Sequence, residues 1–338
     1  MRLLVIGGTV FLGKAFVADA HARGWEVTTF HRGRSGADLP GVRAVHGDRE
    51  DPADLARLAS EGPWDAVVDV CGYSPDVVGE AVRALTGRAG AYLFVSSVTA
   101  LAPWPAAPVD DAAPLHPCDP DAGPEDAPYA TLKAGCERVV ERDFAGRTLI
   151  LRPGVVIGPG DRMRRVTHWL SRAARGGRML AGGDPGGTLQ LIDARDVAAF
   201  GLDRLAAGGS GAYLTTGTPA NATWAGLLGE CAALTGSDVT VEWTDDAFLA
   251  GQGVAPFAAL PFWTPPAAQF AAVWEFSSQR ALADGLRCRP VLESVRDTWD
   301  WLNTPGGREE AFGEYRFPDR TLSAAREAEI LAAWDSRG

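Results

Sequence analysis

"VIGGTVFLGKAF", residues 5–16, is the stretch that decides the fold. A short apolar run ends in two glycines, and a helix-forming run follows. Gly7, Gly8 and Gly13 leave room for something to approach the backbone closely. A pyrophosphate needs backbone N–H groups aimed at it and no side chain in the way. Gly7 stands where the strand ends and can take a positive φ. Gly13 lies in the first helical turn, where a missing side chain lets helix and strand pack closely. Val10 stands where a G-x-x-G-x-x-G loop would carry another glycine. Such a loop still works if Val10 keeps φ negative and turns its side chain outward. The competing reading is a tight strand-to-helix turn that holds no ligand.

Outward from that turn, strand and helix alternate. Strands are expected at "RLLVIGG", "WEVTTFHRG", "VRAVHGD", "WDAVVDVCGY", "AYLFVSS" and "TLILRPGVVIG", the last over residues 148–158. Helices are expected at "KAFVADAHARG" (14–24), "PADLARLASEG", "SPDVVGEAVRALTG" and "PYATLKAGCERVVERDF". Alternation of this kind predicts parallel βαβ units. Right-handed crossovers place the glycine turn at the carboxyl edge of the sheet. After Gly158 the alternation loosens. "DRMRRVTHWLSRAARGGR" (161–178) reads as a basic helix, and "GAYLTTG" (211–217) as a strand that can return to the sheet. Eight of the eleven tryptophans lie beyond residue 160, which suggests a separate aromatic-rich unit. The predicted fold is therefore α/β, a Rossmann-like doubly wound parallel sheet with a smaller C-terminal α/β substrate domain. The dinucleotide-binding part spans 1–157, with 190–216 returning to it. The substrate part spans 158–189 and 217–338. Residues 101–128 are rich in Pro and Asp and read as a long loop of the kind that often serves as a lid.

Composition narrows the function. The 338 residues carry a net charge of −11, which argues against a nucleic-acid surface. No apolar run approaches the roughly 20 residues that cross a bilayer, and no lipid anchor is read. The chain enters its first strand without a charged leader. Cys71, Cys118, Cys136, Cys231 and Cys288 show no C-x-x-C and no metal-ligand spacing. Reduced thiols in a cytoplasmic protein are expected, and the five scattered histidines suggest no metal site.

"YATLK" puts Tyr129 and Lys133 four residues apart at the start of a helix, on one face and one turn apart. An ammonium near a phenol favours the phenolate and lowers its pKa from about 10. A tyrosine tuned in this way can exchange a proton with a carbinol or carbonyl oxygen. Lys133 is one of only two lysines, the other being Lys14. "FVSSVTA" brings Ser96 and Ser97 to the same sheet edge, where a hydroxyl can bond the same substrate oxygen.

Taken in order, "GGTVFLG", "HGDRED", "DAVVDVCGY", "FVSSVTA", "YATLK", "LRPGVVIGPGD" and "LIDARDVA" resemble the extended short-chain dehydrogenase/reductases, the NAD-dependent epimerase/dehydratase family. By position, the resemblance makes Ser97, Tyr129 and Lys133 the catalytic set. It places Gly7, Thr9, Val10, Phe11, Leu12 and Gly13 in the phosphate turn and Ser96 beside the cofactor. Asp48 and Arg49 fall by the adenine. Cys71, Gly72 and Tyr73 fall by the ribose, and Pro153 and Gly154 by the nicotinamide. The second strand ends in His31, Arg32 and Arg34 rather than in the acid that selects NAD, so NADP is preferred over NAD. Val98 and Thr99 follow Ser97 in place of the acidic pair of the dehydratases. Leu189 stands where nucleotide-sugar relatives often carry Arg. Arg162, Arg164, Arg165, Arg172 and Arg175 could hold a diphosphate or merely form a solvated face. Phe257, Phe262, Trp263, Phe270 and Trp274 could line a pocket or pack a core. The expectation is an NAD(P)-dependent oxidoreductase acting on a secondary alcohol or ketone of a small polar substrate, as a possible homodimer. An epimerase is the alternative, and a non-catalytic dinucleotide-binding or RNA-binding relative is the third reading.

Overall fold

Apolar runs flanked by helices assemble the central layer. The computed structural model describes residues 1–313 and 320–337. Residues 314–319 and 338, which the sequence reading assigns to the C-terminal unit, lie outside the described residues. The first half runs β1 (Arg2–Ile6), α1 (Phe11–Ala22), β2 (Glu26–His31), β3 (Arg43–His46), α2 (Pro52–Ser60), β4 (Ala66–Asp69), α3 (Pro75–Leu85), β5 (Ala91–Val95), α4 (Tyr129–Asp143) and β6 (Arg147–Pro153). There follow β7 (Val155–Ile157), α5 (Val166–Ala173), β8 (Arg178–Gly182), β9 (Thr188–Leu189), β10 (Leu191–Asp193), α6 (Ala194–Ala206) and β11 (Gly211–Thr215). The last part holds β12 (Ala222–Thr223), α7 (Trp224–Thr235), β13 (Thr240–Thr244), α8 (Asp246–Gly251), α9 (Gln279–Ala283), α10 (Val291–Leu302), α11 (Gly307–Phe312) and α12 (Ala324–Asp335).

Seven strands pair in the order β11-β6-β5-β4-β1-β2-β3, and every pairing is parallel. β11 does return to the sheet, beside β6. Strand order reverses between β1 and β4, so the crevice for a ligand opens past their carboxyl ends. Ile6 pairs with Phe30 on one side and Asp69 on the other, which sets the glycine turn at that crevice. Helices cover both faces because β1, β4 and β5 are apolar on both. Phe16 and Phe200 pack one face, and Phe30, Tyr92 and Phe94 the other.

Local chemistry explains the helix starts. Asp51 caps α2 by accepting from the Ala53 N–H, with Pro52 in the first turn. Asp193 caps α6 by accepting from the Arg195 N–H. α1 begins at Phe11, three residues ahead of the expected start.

Three expectations are corrected. The single strand over 148–158 breaks at Gly154, because β7 leaves the main sheet to pair with β10. The basic helix over 161–178 shortens to α5. Arg178–Gly182 is instead a strand, paired in parallel with β13, and two neighbouring glycines with positive φ, Gly176 and Gly177, stop the helix before it. The basic stretch is not merely a solvated face. Arg172 is buried and pairs with Glu327 at 2.6 Å, and Arg165 pairs with Asp161 at 3.3 Å.

The aromatic-rich half packs its own core. Trp169 is fully buried and meets Trp224 edge-on at 5.1 Å, and Trp224 meets Phe262 at 6.2 Å. Burying each such ring contributes about 1.5–3 kcal/mol. Phe257 and Trp274 stack at 5.5 Å. Ala281 and Leu286 return to the core of the main sheet.

Candidate active site

The turn after β1 is shaped by its glycines. Gly7 and Gly8 have φ of +99° and +103°. A Cβ on Gly13 would lie 2.9 Å from the Gly8 nitrogen and 2.8 Å from Val70, so only glycine lets α1 approach β1 and β4 this closely. Val10 has φ −138° and precedes α1 as its cap residue, while Phe11 is the non-glycine residue of this turn with a positive φ, at 42°. No side chain caps α1, and no acid lies in its first turn. Helix N–H groups are thus presented to the crevice, the arrangement that holds an anion.

Beyond β2 the chain folds back on itself. Asp38 accepts from His31 Nε2 at 2.6 Å and lies 3.4 Å from His46 Nε2. Ligand atoms of these three residues lie within 4.8 Å of one another. The Gly33 N–H donates to His31 Nδ1 at 3.0 Å, so the ring proton sits on Nε2, facing Asp38. A metal at Nε2 would need that proton on Nδ1. The trio is a hydrogen-bonded brace for the loop. Arg32 is half exposed, 3.7 Å from Asp48. Arg34 is exposed and has no ion pair among the described residues.

Arg49 grips Asp69 with both nitrogens, at 2.8 and 2.9 Å, and Tyr92 Oη donates to the same carboxylate at 2.8 Å. Burial alone would raise the Asp69 pKa. The Arg49 guanidinium outweighs it and holds the carboxyl below its usual range. Arg49 Nε is buried without a partner. Cys71 and Gly72 follow directly, and a Cβ on Gly72 would strike Val78 at 2.5 Å and Phe94 at 2.6 Å.

The expected catalytic residues come from α4 and the end of β5. Lys133 is buried and donates to the Gly72 carbonyl at 2.9 Å and the Val95 carbonyl at 2.6 Å, with Phe94 4.1 Å below its ammonium. Burial pushes its pKa down. An ammonium has three donors, so one remains beyond these two carbonyls. Tyr129, one turn earlier, is 45% exposed, and its ring lies 6.5 Å from that of Tyr73. Strand alternation separates the two serines. Ser96 turns inward and donates to Glu137, which pairs with Arg152 at 2.7 Å. Ser97 turns the other way and accepts from the Thr99 N–H at 3.2 Å and the Thr99 hydroxyl at 3.0 Å. With two donors aimed at its oxygen, Ser97 keeps its own proton for another acceptor.

Pro153 ends β6, and Gly154 follows, its N–H donating to the Thr215 carbonyl at 3.1 Å. A Cβ on Gly154 would lie 2.7 Å from Thr216 and 3.7 Å from Phe276. Sequence reading missed Thr99, Asp38 and Gln190. Gln190 donates to Thr216 Oγ1 at 3.2 Å and to the carbonyls of Gly217 and Phe276 at 2.7 and 3.0 Å, fixing the chain beside Gly154. Only Thr99 had a local signal, a hydroxyl two residues after a serine.

Known proteins resemble this chain in sequence and in fold. The model of the NAD dependent epimerase/dehydratase family matches residues 3–211. A 2'-dehydrokanamycin reductase of Streptomyces kanamyceticus is 31% identical over 214 residues, 61% of this chain. A 2-alkyl-3-oxoalkanoate reductase of Stenotrophomonas maltophilia is 30% identical over 204 residues, 54% of this chain. The matched parts span 58% and 59% of those two relatives. Among solved structures, the Bordetella bronchiseptica enzyme WbmH in complex with NAD+ superposes with a TM-score of 0.70 at 16% identity, covering 90% of this chain and 99% of that one. The UDP-glucose 4-epimerase of Thermus thermophilus in complex with NAD gives 0.65 at 21%, covering 89% and 98%. These likenesses are of fold. Among the described residues no helix is long and apolar enough to cross a membrane.

Proposed function

This chain belongs to the NAD dependent epimerase/dehydratase family, and from that premise we propose that it is an NAD(P)-dependent reductase of a ketone on a small polar molecule. The observation that carries the reading is Lys133. A buried ammonium is tied to two backbone carbonyls one helical turn from Tyr129, with a donor to spare. Both curated relatives are named reductases.

The residues present fit a dinucleotide. The uncapped start of α1 and the space at Gly7, Thr9, Val10, Phe11, Leu12 and Gly13 would hold its pyrophosphate. The orphaned Arg49 Nε lies in the segment expected beside the adenine. Bound there, a nicotinamide supplies or takes the hydride. Ser97, its oxygen filled by the two Thr99 donors, donates a hydrogen bond to the substrate carbonyl and keeps its proton. Tyr129 delivers a proton to the same oxygen as negative charge grows on it. The Lys133 ammonium favours the phenolate that remains, and its third N–H is available to a ribose hydroxyl.

Arg32 and Arg34 favour NADP over NAD. Asp38, the acid nearest the end of β2, is already engaged by His31, so it competes poorly for a ribose hydroxyl. Arg34, which has no ion pair among the described residues, and Arg32, with only a 3.7 Å contact to Asp48, could take a 2′-phosphate. Five free thiols suit a cytoplasmic enzyme, and the expected homodimer is open to sedimentation analysis.

The test is direct. Purified protein is titrated with NADPH and NADH by calorimetry, then assayed for ketone-dependent loss of reduced nicotinamide. Binding of NADPH with turnover that Tyr129→Phe abolishes is the expected result. No binding of either nucleotide contradicts the reading. Nucleotide that stays bound through purification while a carbinol centre inverts would replace reductase with epimerase.

A further inference from the structure

Two cavities open on the aromatic side of the molecule, of about 580 and 610 Å³. Their walls share Trp274 and Glu275. The segment that carries these residues reaches the sheet edge, since Phe276 packs with Val98 and Leu101, just past Ser97, and would touch a Cβ on Gly154 at 3.7 Å. A substrate with one end on this segment would follow it toward the reacting edge.

The walls combine two kinds of group. Phe270 and Trp274 give flat apolar surface, while Trp263 in the same wall is buried. Trp274 is held by stacking on Phe257 and by Phe262 at 6.2 Å. Asp184, Asp246, Glu275 and, in the smaller cavity, Asp110 give negative charge. Among the described residues, no Arg, Lys or His lines either cavity. The chain is rich in arginine and pairs most of its buried acids, yet none of these four carboxylates has a basic partner among the described residues. Asp246 accepts from the Trp263 indole, at 2.7 Å. Asp184 and Asp110 accept from backbone N–H groups two residues on. The Glu275 carboxylate has no hydrogen bond among the described residues.

Aromatic faces flanked by unpaired carboxylates attract a cation and repel an anion. We infer that the substrate carries a protonated amine, with its ring or chain laid on Trp274 and its ammonium between Asp246 and Glu275. A nucleoside diphosphate would bring two negative charges to a wall that offers no counter-charge. The inference rests on the reductase reading and adds the substrate class to it.

Three ketones that differ only in one substituent test it: 4-aminocyclohexanone, 4-hydroxycyclohexanone and 4-oxocyclohexanecarboxylate, each with NADPH. The amine should exceed the carboxylate by about tenfold in kcat/KM, equivalent to ~1.4 kcal/mol. The double variant Asp246→Asn/Glu275→Gln should bring that ratio close to one. A carboxylate preferred over the amine, or a ratio unmoved by the double variant, overturns the inference and leaves the reductase reading standing. A second readout needs no turnover. Titrating 4-aminocyclohexanol into nucleotide-free protein should give a saturable change in tryptophan emission that Trp274→Phe removes. 4-Hydroxycyclohexanecarboxylate should give none, and equal responses to both overturn the inference. If no ketone is reduced and no nucleotide binds, the reductase reading fails, while the emission titration still decides the charge of the ligand.

Discussion

At the sheet edge, the buried arginines pair with carboxylates, Arg49 with Asp69 and Arg152 with Glu137, and the buried Lys133 is held by two backbone carbonyls. Around the aromatic cavities, Asp184, Asp246 and Glu275 stand without a basic partner among the described residues. The difference is one of task. A buried charge without its partner is costly, so pairing at the sheet edge holds the glycine turn, Gly72 and the β5 end in fixed positions. Carboxylates at a solvent-open wall cost little to leave unpaired, and they keep their field for a ligand. One side is built to be rigid and the other to discriminate.

The strongest test of the rigid side is chemical. Tyr129→Phe should bind nucleotide as the wild type does and lose about 10²–10⁴-fold in turnover. Single-turnover kinetics with reduced nucleotide checks this, and near-normal turnover would remove Tyr129 from the reaction.

Asp69→Asn attacks the pairing itself. It strands Arg49 in the interior and should cost about 3–5 kcal/mol of stability, read by denaturant unfolding. The pH dependence has a defined sign. The folded Asp69 pKa is depressed, so its contribution is complete above the ordinary Asp pKa of about 3.9 and is lost as the pH falls through the lower folded value. The Asn variant should lack that acid-side loss. A cost below about 1 kcal/mol would show that the pair is not what fixes this edge.

Nucleotide choice is a smaller effect. Arg32→Ala/Arg34→Ala should weaken NADPH by about 1–3 kcal/mol and barely move NADH. Equal weakening of both would remove the two arginines from 2′-phosphate recognition.

Smallest is Val10→Gly. Val10 already has φ −138°, which valine adopts without strain. Glycine should cost about 0.5–1 kcal/mol of stability through unfolded-state entropy and leave nucleotide affinity unchanged. A tighter nucleotide would mean that the valine side chain obstructs the phosphates.

These contrasts also show which parts of the molecule the sequence discloses. The sheet was legible because β1, β4 and β5 are apolar runs, the first two followed by glycines and the third by two serines, a pattern set by burial on both faces. Tyr129 and Lys133 were legible because their spacing is a helical turn. Ser96 and Ser97 illustrate the limit. Both lie in the expected place, but only the strand's alternation decides that Ser96 faces Glu137 while Ser97 faces away. Arg172 looked like a surface charge until Glu327, 155 residues along the chain, came to meet it. β8 was hidden because its partner β13 lies about 60 residues on, and a pairing at that distance leaves no local periodicity. The folding back of Asp38 onto His31 is likewise a loop geometry that composition does not encode.

The central claim is hydride transfer to a substrate carbon at the Tyr129 edge. It is tested most directly with NADPH deuterated at the transferring position and 4-aminocyclohexanone, with the product analysed by NMR. The account expects deuterium on the carbinol carbon of 4-aminocyclohexanol, in one stereochemical sense, and none of this product with Tyr129→Phe. Product without deuterium at that carbon, or deuterium that never leaves the nucleotide, would contradict it.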